Sequence, residues 1–348
     1  MLQATYQRYV LDFKQPSGTS RGVLRQKESW FLFLREGNRI GIGECGILKG
    51  LSIDDSDTYE EKLQWVCDHI DRGEEKLWQE LTDYPSVQFG IEMAFRSLYA
   101  RDTFELFPSP FVSDEAPIPI NGLVWMGDKD FMRRQISEKI EEGFDCIKIK
   151  IGAINFEEEL ELLRYIRSEY DAETIEIRVD ANGGFDPKEA LDKLEKLAQY
   201  KLHSIEQPIA PGQTEAMATL CKKSPIAIAL DEELIGVKEK SRKEKVLAAI
   251  RPQYIILKPS LIGGFRGTQE WIDSATSHNC GWWVTSALES NIGLNAISQF
   301  TFTLQSTMPQ GLGTGSLYTN NIASPLVVRN GTLIYDQGLS WETNSLHI

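Results

Sequence analysis

The chain has 348 residues, 41% hydrophobic and 25% charged, with a formal net charge of -14. That length allows one large α/β barrel with an added lobe, or two ordinary domains, while the acidic balance excludes a nucleic-acid partner, which would need clustered Lys and Arg. No apolar run is long enough to span a membrane, no basic-then-apolar leader opens the chain, and the 5 cysteines are scattered without a CxxC pair; a cytoplasmic protein with reduced thiols and no membrane partner is expected.

In chain order, residues 29–34 and 39–44 flank the turn Glu36-Gly37-Asn38 and predict a hairpin. Pro16, Gly18 and Gly22 make residues 15–24 read as a flexible loop. Apolar residues at three- and four-residue steps predict helices over 58–72 and 87–100. The proline-rich stretch 107–119 then reads as a boundary near residue 115.

Beyond it, short apolar runs alternate with helical stretches. Strands are predicted at 118–125, 146–151, 175–180, 204–209, 226–230, 254–258 and 282–286, with a weak one near Gly311. Helices are predicted at 128–142, 156–169, 187–200, 214–222, 237–250, 265–277 and 291–304. The third of these carries Asp186 as N-cap and Pro187 at the first helical position. Buried Ile/Val/Leu strands, each followed by a helix, point to a parallel α/β barrel, with the open doubly wound sheet as the alternative.

Barrel chemistry sits at the C-terminal ends of the strands, so the residues that follow each apolar run carry the information. They are Lys148 and Lys150, then Asp180, Glu206, Asp231 and Lys258, the last four spaced by 26, 25 and 27 residues. Three hard oxygen donors without His or Cys suit Mg²⁺, with Mn²⁺ as the alternative, and disfavour zinc or copper. Lys148 and Lys150, two apart on a strand, point to the same inward face, with Lys258 opposite. A cation with lysines on either side suits removal of a proton next to a carboxylate. The run from Gly311 to Gly315 reads either as a backbone opening around substrate or as turn chemistry.

These residues resemble the enolase superfamily, in its muconate-lactonizing subgroup, over essentially the whole chain. Gly41 to Cys45 is similar to the capping-domain hairpin, Phe89 to Leu98 to its helix, Lys148-Ile149-Lys150 to the KxK motif, and Asp180, Glu206 and Asp231 to the metal ligands. The resemblance implies a (β/α)7β modified TIM barrel over residues 116–321, with an α+β capping domain over 1–115 to which 322–348 return. The stretch Thr285 to Gly293 is most similar to the o-succinylbenzoate synthases, and Gly313-Thr314-Gly315 stands where dipeptide epimerases carry an Asp-x-Asp pair.

That likeness implies a lyase of menaquinone synthesis acting on a small carboxylate. The reaction is syn-dehydration of 2-succinyl-6-hydroxy-2,4-cyclohexadiene-1-carboxylate through an enediolate. Lys150 is expected to take the proton, Lys148 and Lys258 to stabilise charge, and Asn182, Ser286, Glu289, Gly313 and Thr314 to contact substrate, with residues 15–24 as a lid. An N-acylamino acid racemase, a dipeptide epimerase or a cycloisomerase on the same scaffold is the alternative.

Overall fold

The computed structural model describes residues 1–19, 22–152 and 155–347. The chain opens with an antiparallel sheet of β1 (Gln3–Thr19), β2 (Gly22–Glu36) and β3 (Arg39–Gly46), in that order. In β2, Phe31 and Phe33 enter the large core shared with the barrel, while Trp30, Leu32 and Leu34 enter a separate core under the capping helices. The two-residue period of a strand therefore serves two cores at once, which explains why this stretch is apolar without alternation. The expected loop at 15–24 is instead the far end of the β1–β2 hairpin, with a register shift between Asp12 and Ser17. Ser20 and Arg21 lie outside the described residues. Bridges from Phe13 to Tyr318 and from Gly18 to Met126 tie this end of the hairpin to the barrel.

Helices Tyr59–Asp68, Glu74–Glu80 and Pro85–Tyr99 cover one face of the sheet. The glycines of β3 set how closely the last of them can approach: a Cβ on Gly43 would stand 1.9 Å from the Gly90 carbonyl oxygen. Only glycine permits that contact, which accounts for the Gly-Ile-Gly run.

Two short elements follow, β4 (Ile118–Pro119) and β5 (Gly122–Val124), where a single strand is expected. Next come β6 (Cys146–Lys150), β7 (Glu176–Asp180), β8 (Ser204–Glu206), β9 (Ala227–Leu230), β10 (Tyr254–Leu257) and β11 (Gly281–Val284). From β5 to β11 they form a seven-stranded parallel sheet in sequence order, with helices between successive strands. Gln310 bridges Ile120 and Gly311 bridges Thr285, so the weak eighth segment joins the two ends of the curled sheet. This is the α/β modified barrel with a capping domain that the resemblance implies.

The outward residues of β6 and β7 (Ile147, Ile149, Ile177, Val179) are buried against the helices. Each contributes roughly 1.5–3 kcal/mol of burial, which helps to offset the cost of pointing Lys148, Lys150, Arg178 and Asp180 inward. The third barrel helix spans Ala190–Ala198 rather than starting at Pro187. Asp186 does accept the Lys188 amide, but this closes a preceding turn. After the barrel, β12 (Leu326–Arg329) pairs with β13 (Thr332–Tyr335), which in turn pairs with β4, and beyond them Ser345 and His347 hydrogen-bond Gln7 and Arg35 of the first sheet.

Candidate active site

Strand register assembles the site. Lys150 pairs with Asp180 across β6 and β7, and Asp180 pairs with Glu206 across β7 and β8. Asp231 and Lys258 follow directly on β9 and β10. The Lys148 ammonium lies between Asp180 Oδ2, at 3.0 Å, and the Glu206 carboxylate. Lys150 Nζ sits 3.0 Å from Asp180 Oδ2 and donates to Asn182 Oδ1 at 2.9 Å, while Lys258 pairs with Asp231. Asp180, Glu206 and Asp231 are all nearly inaccessible to solvent.

The protonation states follow from this packing. Burial works against the Asp180 carboxylate, but Lys148, Lys150 and Lys258 outweigh it and hold Asp180 far below the usual carboxylate range. Burial and the neighbouring Asp180 push Glu206 the other way, to about 8, with Lys148 only partly compensating. Burial also opposes the charge on Lys148 and Lys258, yet the carboxylates win and both pKa values rise above that of an ordinary lysine. Both remain ammonium ions near neutral pH.

Among the described residues, no three His, Cys, Asp or Glu side chains already converge as a metal-binding group. The physical reason is that ammonium groups stand against each of the three carboxylates. The donor set nonetheless fits a hard divalent cation. The carboxylates are buried on adjacent strands, and Glu206, buried beside Asp180 and Asp231, is compensated by the Lys148 ammonium and the charge of Lys258. A cation at this point would relieve the repulsion that raises the Glu206 pKa.

Above the cluster lies a cavity of about 230 Å³ lined by Lys148, Lys150, Asp180, Asn182, Lys258, Ser286, Gly313 and Thr314, among others. Asp180 is the only acid among these lining residues, whereas five lysines line it: Lys49, Lys139, Lys148, Lys150 and Lys258. Ser286 and Thr314 share a hydroxyl hydrogen bond of 2.6 Å. Glu289, expected to touch substrate, does not line the cavity. Its carboxylate is turned into the wall, accepting from Ser260 Oγ and the Ala287 amide, and is 1% exposed.

Sequence reasoning missed three kinds of contributor. Gln207 accepts the Asp231 and Glu233 amides and so fixes the loop after β9. Val23, Leu24, Leu48 and Leu51 supply an apolar rim from the capping domain. Asn182, Gln207 and Leu288, each just past a strand end, adopt left-handed backbone conformations (φ 43°, 37° and 63°). Each such conformation costs on the order of 1 kcal/mol for a residue with a side chain, and such strain concentrates at functional sites. Only the asparagine hints at this in sequence.

A curled parallel barrel with carboxylates and lysines at successive strand ends, roofed by a capping domain, defines the enolase-superfamily class of enzyme. Residues 131–344 match the family described as "Enolase C-terminal domain-like", and residues 1–98 match "MenC, N-terminal domain". The chain is 46% identical to the o-succinylbenzoate synthase of Desulfotalea psychrophila, over 95% of this chain and 98% of that one. The crystal structure of MenC from the same organism superposes with a TM-score of 0.85 at 41% identity, covering 96% of this chain and 99% of that one. A dipeptide epimerase from Enterococcus faecalis, complexed with Mg and a dipeptide, shares the fold with a TM-score of 0.83 at 16% identity, over 95% and 96% of the two chains. This chain belongs to the o-succinylbenzoate synthase family.

Proposed function

We propose that this chain carries out its family's lyase reaction, the Mg²⁺-dependent syn-dehydration of 2-succinyl-6-hydroxy-2,4-cyclohexadiene-1-carboxylate, with Lys150 as the base. The observation that supports the reading is the placement of the three lysines around the cavity. Lys148 is wedged between Asp180 and Glu206, and Lys258 stands across the site against Asp231. Lys150, at the C-terminal end of β6, lines the cavity and is held between Asp180 Oδ2 at 3.0 Å and the Asn182 side-chain carbonyl at 2.9 Å. It is the group best placed to exchange a proton with a ligand.

Asp180, Glu206 and Asp231 would hold the cation, which supplies a Lewis-acidic charge for the substrate carboxylate. Lys150 Nζ takes the proton α to that carboxylate, then returns it to the departing hydroxyl on the same face. Lys148 and Lys258, both cationic, face the negative charge that develops on the enediolate. Asn182 orients Lys150 through the 2.9 Å hydrogen bond. Ser286, Gly313 and Thr314 line the cavity and are the proposed contacts for the succinyl tail, with the rim leucines excluding water.

A dipeptide brings an ammonium that needs an acid, which argues against the dipeptide epimerase alternative. At Gly313-Thr314-Gly315 there is none. The division near residue 115, with 322–348 returning to the capping domain, completes the proposed organisation.

The test is direct dehydration of the cyclohexadiene acid, followed by product absorbance with and without chelator. The reading expects turnover that chelation abolishes and Mg²⁺ or Mn²⁺ restores. Incubation with an N-succinylamino acid in D₂O is the counter-test: α-deuteration as fast as dehydration would overturn the single-activity reading.

A further inference from the structure

A buried carboxylate of the capping domain holds the substrate-facing loop of the barrel. Glu44, on β3, is completely inaccessible to solvent. Its Oε1 accepts from Ser29 Oγ at 2.7 Å and the Ser290 amide at 2.9 Å, and its Oε2 accepts from Ser290 Oγ at 2.5 Å and the Gly293 amide at 2.8 Å. Lys27 Nζ lies 4.0 Å from Oε1. Three of these four hydrogen bonds cross from the capping sheet to the start of helix Asn291–Thr303, where free amides and the helix dipole favour a negative charge.

The loop just before that helix is part of the cavity wall, through Ser286, Ala287 and Leu288. Leu288 is in the left-handed region, and its carbonyl accepts from Tyr318 Oη at 2.7 Å. Glu289 ties the same loop to Ser260, two residues past Lys258. A strained backbone of this kind persists only when its surroundings over-determine it. Tyr318 holds it at Leu288, Glu44 holds it just beyond at Ser290 and Gly293, and Glu289 links it to Ser260 in the turn that follows Lys258.

We propose that Glu44 is a positioning residue for substrate binding: it couples docking of the capping domain to the conformation of the Ser286–Leu288 wall. Glu44 touches neither the cavity nor the reacting groups, so its influence falls on how well substrate is held. In Glu44→Gln, one acceptor oxygen becomes an NH₂ donor facing amides that also donate, and the loop loses its anchor.

The test compares steady-state dehydration by wild type, Glu44→Gln and Tyr318→Phe, with thermal unfolding measured alongside. Glu44→Gln is expected to raise KM about tenfold while kcat falls less than about threefold, and Tyr318→Phe to raise KM in the same direction by a smaller factor. The two effects should be less than additive in the double variant, since both act on one loop. An unchanged KM in a folded Glu44→Gln enzyme with only a lowered Tm would overturn the proposal. Should Glu44→Gln fail to fold, Tyr318→Phe decides alone, and an unchanged KM there overturns it equally. The inference rests on the proposed dehydration, and wild-type turnover separates the two: inactive wild type sinks the activity, whereas active wild type with insensitive variants sinks only the role of Glu44.

Discussion

Glu92 offers a quantitative test of how the capping domain is fastened to the barrel. It lies on helix Pro85–Tyr99 and accepts the Phe265 and Arg266 amides at the start of helix Gly264–Ser277, with Arg266 Nε 3.3 Å away. Only 3% of it is exposed. Burial outweighs the two amides and the guanidinium, and the carboxyl is pushed up to about 8. In the unfolded chain its pKa is about 4.3. Between those values the native state keeps a proton that the unfolded state has released. The associated stability is therefore fully present below about pH 4 and is lost as pH rises through about 8. A gap of more than three pH units corresponds to several kcal/mol at about 1.4 kcal/mol per unit, taken as an order of magnitude.

Glu92→Gln removes this titration. Urea unfolding of wild type and variant, both with chelator, at about pH 5, 7 and 9 should show the variant gaining on wild type by several kcal/mol between the extremes. Asp54 and Glu206, raised to about 6 and about 8, lower stability in the same direction in both proteins and cancel in the difference. Parallel stability curves for the two proteins would refute the reasoning.

Asp231→Asn should lose turnover and metal response together. Mg²⁺ at a hundred times its Kd should stabilise wild type by about 2.7 kcal/mol but leave the variant's thermal unfolding nearly unmoved, and an equal thermal shift in both would count against Asp231 as a ligand. Gly43→Ala should destabilise the capping domain by about 1–3 kcal/mol through overpacking, because its Cβ meets backbone rather than a side chain that can turn away. A Tm equal to wild type would show that the helix can retreat at no cost.

The barrel was legible because its signals are local and repeated. Each buried strand reads as an apolar run, and Asp180, Glu206, Asp231 and Lys258 recur at intervals of 26, 25 and 27 residues. What sequence could not show were directions and distances. Glu289 sits three residues after Ser286, yet the left-handed turn at Leu288 rotates it into the wall. The β1–β2 hairpin runs further than its loop-like glycines suggest, because bridges to Met126 and Tyr318 hold its end against the barrel. Asp186 looked like a helix cap because its side chain does bind an amide, but the helix proper begins at Ala190. Gln207 carried no motif, and the hairpin motif that contains Glu44 gave it no role, since the importance of both comes from partners more than twenty residues away.

Dehydration of the cyclohexadiene acid by Mg²⁺-loaded Lys150→Ala, beside wild type and at matched fold content, decides whether Lys150 is the base. Loss of the base should lower kcat by about 10²–10⁴ while leaving the Mg²⁺-induced thermal shift in place. Turnover within a few-fold of wild type would contradict the assignment of Lys150 as the residue that takes the proton.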